Sequence, residues 1–169
     1  ALLMALLVVG PSGVLADDEP TSTALHPPET ELNNLGVKAA PAGQFEQGAL
    51  LLREALVLAP EDEQIRKNLS AVLTDWAQQL SRQGKIDQAI AALQEALKHE
   101  PDNGQAMAQL ADLHFVTGHD LAQAIDLWKR AYGKIPPAQW QAVSQRIVQA
   151  ERDRLIERGF VGVKPPHFH

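Results

Sequence analysis

Apolar side chains recur every three or four positions between about Thr30 and Arg158, the spacing of helices that bury one face. The pattern predicts seven helices. The first, Thr30–Ala40, turns Leu32 and Leu35 inward, places Gly36 where a neighbour comes close, and is cut short by Pro41. The second, Phe45–Leu58, carries a buried stripe of Leu51, Leu52, Ala55 and Leu56, and Pro60 breaks the chain after it. A third begins near Asp62 or Glu63 and runs to Arg82, with Ile65, Leu69, Leu73, Trp76 and Leu80 at helical spacing. Ile86–His99 turns Ala89, Leu93, Ala96 and Leu97 inward, and Gly104–Val116 follows. Leu121–Gly133 sets Trp128 in the large slot that Leu52 and Leu93 take earlier. The last, about Ala138–Arg158, is polar over much of its surface, as a helix closing an array must be.

Six of these helices fall into three pairs, because one phrase recurs. It reads Gly43-Gln-Phe45-Glu-Gln-Gly48-Ala49, then Gly84-Lys-Ile86-Asp-Gln-Ala89-Ile90, then Gly118-His-Asp-Leu121-Ala-Gln-Ala124-Ile125. Each copy runs on to an alanine followed by Leu or Tyr and then to a proline: Pro60, Pro101 and Pro136. The glycines lie 41 and 34 residues apart (84 − 43 and 118 − 84). A period near 34 with this grammar predicts stacked helix–turn–helix units, each covering its neighbour's apolar face. The glycines fall in the turns within each pair, where a positive φ is often required.

The second unit is seven residues longer than the third. Seven residues are nearly two helical turns, so the insertion keeps the buried stripe within about 20° of its direction. Two registers are open for the long third helix, with either Leu69 or Trp76 in the first large slot. Either way the helix is expected to overhang the array, with Trp76 and Leu80, or Ile65 and Leu69, at an uncovered end.

On these residues the chain resembles the tetratricopeptide-repeat (TPR) family over about residues 29–158. Repeat one carries Leu35-Gly36, Gly43, Phe45, Gly48, Ala55 and Pro60. Repeat two carries Asn68-Leu69-Ser70, Gly84, Ala89, Ala96 and Pro101, and repeat three Leu110-Ala111, Gly118, Ala124, Ala131 and Pro136. Gly48 stands where alanine is usual, and repeat three needs one inserted residue near Asp120. The resemblance implies an all-α fold: a right-handed superhelical array of three TPR helix pairs (29–62, 63–103, 104–137) plus a C-terminal capping helix (138–158).

The resemblance also implies a non-catalytic function, the binding of a peptide or partner helix on a concave face lined by the first helix of each pair. The lining positions are then Asn33, Asn34 and Val37; Lys67, Asn68, Ala71, Thr74, Asp75, Gln78 and Arg82, of which a subset faces in; and Gln105, Gln109, Asp112 and Phe115. Carboxamides there can pair with a ligand's backbone without demanding a sequence. A subtype of the family clamps an acidic C-terminus with lysines, arginine and asparagines. The matching positions here, Asn33, Val37, Asn68 or Asp75, Gln105 and Gln109, lack the cations. The alternative is a permanent subunit of a larger complex, held by an apolar patch around Trp76, Leu80 and Trp140.

Composition narrows the setting. Residues 1–16 hold a short apolar run, a Gly-Pro-Ser-Gly break and Val14-Leu-Ala16, which reads as the h-region and cleavage site of a partial secretory signal. The expected destination is the periplasm, in an assembly or scaffold role; an uncleaved anchor is the rival. Residues 17–28 are acidic and Pro-rich, and 159–169 form a second loose segment. A formal charge of −6 with no basic cluster speaks against nucleic acid. The chain has no cysteine, which removes thiolate chemistry. No cofactor, metal or catalytic residue is predicted: Asp112 and His114 sit two apart and face different ways, and the remaining histidines, including the His167-Phe-His169 tail, are scattered. Partners are therefore other proteins, and oligomeric state is left open.

Overall fold

The computed structural model describes residues 27–118 and 120–159. The expected signal, almost all of the leader, the tail beyond Gly159 and His119 lie outside the described residues. Among the described residues seven α-helices follow one another: α1 (Pro28–Ala39), α2 (Phe45–Leu58), α3 (Glu63–Arg82), α4 (Ile86–His99), α5 (Gly104–Thr117), α6 (Leu121–Ala131) and, after a 3-10 turn over Pro137–Gln139, α7 (Trp140–Glu157). The pairs α1/α2, α3/α4 and α5/α6 pack as hairpins that stack in chain order, and α7 closes the stack on α6. This is an all-α superhelical array of three helix pairs with a capping helix.

Local chemistry sets the boundaries. Pro28 opens α1, two residues earlier than expected, because its missing N–H is an orphan at a helix start in any case. Asp62, Asn103 and Asp120 cap α3, α5 and α6, their carboxylate or carboxamide oxygens accepting from the N–H groups of Ile65, Ala106 and Gln123 at 2.8–3.0 Å. Gly43, Gly84 and Gly118 sit in the within-pair turns at φ of 78°, 75° and 66°, as their recurrence implied.

Each second helix places one large residue fully inside the core, Leu52, Leu93 and Trp128, where alanines and the first-helix residues Leu69, Leu73 and Met107 pack around them. The crossing of α1 on α2 is tighter still. A Cβ on Gly48 would stand 2.8 Å from the Gly36 carbonyl oxygen, and one on Gly36 would stand 2.9 Å from that of Gly48. The glycine at position 48 thus permits backbone contact that alanine would block. Gly36, Ala39 and half-buried Leu32 carry the covered stripe of α1, while Leu35 points outward at 47% exposure, correcting its expected inward position. One residue of helix is about 100° of rotation, enough to carry it off the stripe. Leu51 and Leu56 are half-buried flanks of the α2 stripe rather than its centre.

The α3 helix has 20 residues against 14 in each of α2 and α4. Its N-terminal end meets the end of α2, and its C-terminal end meets the start of α4. The difference of six residues offsets α2 and α4 by about 9 Å along α3. No apolar overhang results. Ile65, Leu69 and Leu80 are all buried, and Trp76 alone of the expected end residues is partly open. Both ends of the apolar stripe are covered because different neighbours share the helix, and Trp76 is left partly open between them.

Candidate functional site

The inner face of the array is formed by α1, α3 and α5, which touch in sequence. Between α1 and α3 lies a groove of about 430 Å³. It brings together Val37, Asn68, Ala71 and Asp75 from the expected set and adds Ala40, Pro41, Phe45 and Val72. Asn68, Ala71 and Asp75 meet there because they are three and four residues apart on α3. The Asn68 amide donates to Asn33 Oδ1 at 2.7 Å and its carbonyl accepts from Gln64 Nε2 at 3.0 Å, so Asn33 and Asn68 also tie α1 to α3. Burial pushes the Asp75 carboxyl up. The groove is therefore an apolar slot with a carboxamide and a carboxylate on its α3 wall.

Between α3 and α5 a smaller depression, about 180 Å³, brings Gln78, Gln109 and Asp112 together beside Ala77, Ser81 and Leu113. Asp112 is a structural member of this set. It accepts from the indole N–H of fully buried Trp128 at 2.9 Å and pairs with Arg146 of α7 at 3.1 Å. Burial raises its carboxyl in spite of the Arg146 guanidinium and the indole, which act the other way.

Two expected lining residues do not face the inner surface. Thr74 is 3% exposed, donates to the Ser70 carbonyl at 2.7 Å and accepts from Asn103 Nδ2 at 3.2 Å. The same Asn103 amide reaches Ser70 Oγ at 2.8 Å, so the N-cap of α5 satisfies both buried hydroxyls of α3. Phe115 turns toward α6, with its ring 5.5 Å from that of Trp128. The rest lie outside the two depressions: Asn34 and Arg82 are exposed, Gln105 is half-buried, and Lys67 pairs with Glu63 at 2.7 Å.

Sequence reasoning missed a wide cleft on the opposite side of the array. A cleft of about 920 Å³ opens on the outer face between α2 and α4, floored by Trp76 and Leu80 of α3. It follows from the axial offset of those two helices. The available signal was the length of α3 beside its shorter neighbours. A bidentate bridge from Arg53 to Glu95, 2.8 and 2.9 Å, spans the cleft. The patch expected around Trp76, Leu80 and Trp140 does not form as such, since Leu80 is buried and Trp140 stacks on Tyr132 at 5.2 Å.

Asp120 caps α6 through its carboxylate. Among the described residues no three His, Asp or Glu side chains cluster as metal ligands. No helix among them is long and apolar enough to cross a membrane.

The sequence of residues 74–139 matches the tetratricopeptide-repeat family. Over that segment the chain is similar to tetratricopeptide repeats. The matched segment begins at Thr74, within α3, and leaves the first turns of that helix outside the match. No curated protein is significantly similar in sequence. Among solved structures, the Yersinia enterocolitica type III secretion chaperone SycD in complex with a peptide of the translocator YopD has 18% identity and a TM-score of 0.50, covering 74% of this chain and 93% of that one. The TPR domain of Sgt2 from Aspergillus fumigatus has 19% identity and a TM-score of 0.46, covering 85% and 89%. The TPR2B domain of yeast Sti1, solved as a complex with an Hsp70 peptide, has 18% identity and a TM-score of 0.48, covering 75% and 98%.

Proposed function

We propose that this protein is a non-catalytic interaction module that holds an extended segment of a partner protein in the groove between α1 and α3. The observation that carries this reading is the groove itself, where Val37, Ala71 and Val72 can take an apolar side chain while Asn68 and Asp75 face its backbone. The secretory character of residues 1–16 supports a place in the cell envelope, with a partner met there during assembly. SycD with its YopD peptide offers a precedent for peptide capture by this fold.

The test is capture of partners from envelope extract on the full chain and on Ala71→Glu. Ala71 is exposed at the groove, so the substitution adds a charge there with an expected stability change within about 0.5 kcal/mol. Loss of a specific client in the variant is the expected result. An unchanged stoichiometric set of proteins would instead favour a permanent subunit held by its outer surface. That second reading has its own observation: Val148, Leu155 and Ile156 are 60%, 43% and 55% exposed on α7.

A further inference from the structure

The inner groove and the outer cleft meet at the α1–α2 turn. Gly43 and Phe45 line both. A chain passing from the groove to the cleft crosses at Gly43, beside the half-buried Phe45, and Gly43 carries no side chain to bar it, with open space where a Cβ would stand. Beyond the rim the cleft offers apolar footing on Leu50, 53% exposed, and on half-buried Trp76.

The polar chemistry of the cleft points to one kind of occupant. Five glutamines, Gln44, Gln47, Gln79, Gln83 and Gln88, line it from the α1–α2 turn, α2, α3, the α3–α4 turn and α4. A carboxamide both donates and accepts, as a peptide group does, and it carries no net charge that would select a side chain of one sign. The charges that line the cleft balance: Glu46 and Glu95 against Arg53 and Lys85, with Arg53 and Glu95 already paired. A strongly acidic or basic segment would find no net counter-charge. An uncharged segment would find backbone partners on several walls and an indole to cover.

We infer that the cleft between α2 and α4 binds the continuation of the same partner segment, an uncharged extended stretch that crosses the Gly43 rim and places an apolar side chain over Trp76. This rests on the groove reading above. It makes the two-turn extension of α3 the device that creates the second half of the site, because the offset of α2 from α4 opens the cleft.

Two blocked peptides of alternating leucine and serine, six and fourteen residues long, serve as probes with the full chain. The longer one, about 46 Å when extended, is long enough to occupy groove and cleft together. It is expected to bind at least tenfold more tightly than the shorter. Gln47→Glu with Gln88→Glu keeps side-chain shape at two exposed positions and should abolish that gain while leaving the six-residue affinity unchanged. Leu50→Asp, also exposed, should do the same, and circular dichroism verifies the fold of each variant. Ala71→Glu should weaken both probes. Equal affinity of the wild type for the two lengths, or a gain that survives both cleft variants, overturns the continuous path and leaves the groove intact. Loss of six-residue binding in the cleft variants overturns it too, by placing the short probe in the cleft. Ala71→Glu without effect on either probe sinks the groove reading instead, and no binding by the wild type sinks both.

Discussion

The first two hairpins and the third are built to one plan yet pack differently against their neighbours. Between α2 and α4 the array leaves a cleft of about 920 Å³, crossed by the partly exposed Arg53–Glu95 bridge. In the third hairpin Trp128 is fully buried, and its indole N–H meets Asp112, which Arg146 of α7 holds from the other side. Both regions join helices two apart in the chain, α2 to α4 and α5 to α7, through a carboxylate–guanidinium pair. In the second that pair lies over a buried indole; in the first it spans open space. The cause is axial: α3 shares its length between two neighbours, whereas α5 and α6 are of comparable length and cover one another. A repeat array thus gains a cavity by lengthening one helix rather than by removing core side chains.

The largest effect separating the regions is expected at the core slot. Trp128→Ala removes a fully buried indole and strands Asp112 without its donor, so about 3–5 kcal/mol of stability should be lost. Chemical denaturation measures it. Trp76→Ala, at a half-buried position with space beside it, should cost well under half as much. Equal costs would mean that the cleft is closed in solution and that both tryptophans are core.

A smaller effect distinguishes α1/α2 from ordinary helix packing. In an open helix Gly→Ala gains about 1 kcal/mol from propensity. At Gly48 the added methyl would meet the Gly36 carbonyl oxygen at 2.8 Å, a backbone atom that cannot swing aside. Overpacking of that kind costs about 1–3 kcal/mol, so Gly48→Ala should be destabilising on balance. A stabilised variant in thermal denaturation would show that the two helices can part without loss.

Helix positions, hairpin pairing and turn glycines were legible in the sequence because each depends on short-range rules: a 3.6-residue period, a proline break, a residue able to take φ near +70°. The site was legible only in part. Asn68, Ala71 and Asp75 share a face by spacing alone, so their meeting in the groove follows from the helix itself. Thr74 lies one residue from Asp75 and turns instead toward the N-cap of α5, which no local pattern announces. Asp112 has the composition of a groove residue but answers to a buried indole sixteen residues on. The cleft depends on the offset of two helices that are not neighbours in the chain, and periodicity along one strip of sequence carries no information about offset.

The two carboxylates of the comparison should respond to acid in opposite directions. Burial raises Asp112 above its ordinary value of 3.8, so the native state holds its proton more tightly than the unfolded chain. Its ionisation lowers stability as pH rises from the ordinary carboxylate range through its raised value, and that cost is relieved on acidification. The hydrogen bond from Arg53 lowers Glu95 below its ordinary value of 4.5, so Glu95 adds stability above that pH and loses it as pH falls through its lowered value. Asp112→Asn keeps an acceptor for Trp128 and removes the first slope, and stability should then fall more steeply with acid between about pH 5 and 3. Denaturation midpoints across that range measure it; an unchanged profile would show that Asp112 titrates as a solvated acid.

The smallest effect is expected at the bridge itself. Arg53 and Glu95 are 38% and 31% exposed, so solvent screens the pair and its two parallel bonds should contribute at most about 1 kcal/mol. A double-mutant cycle of Arg53→Ala and Glu95→Gln isolates the coupling from what each side chain does alone. A coupling well above that figure would mean the cleft is drier than its open geometry implies. A coupling near zero would leave α2 and α4 held at their offset by α3 alone, and the cleft free to widen around whatever enters it.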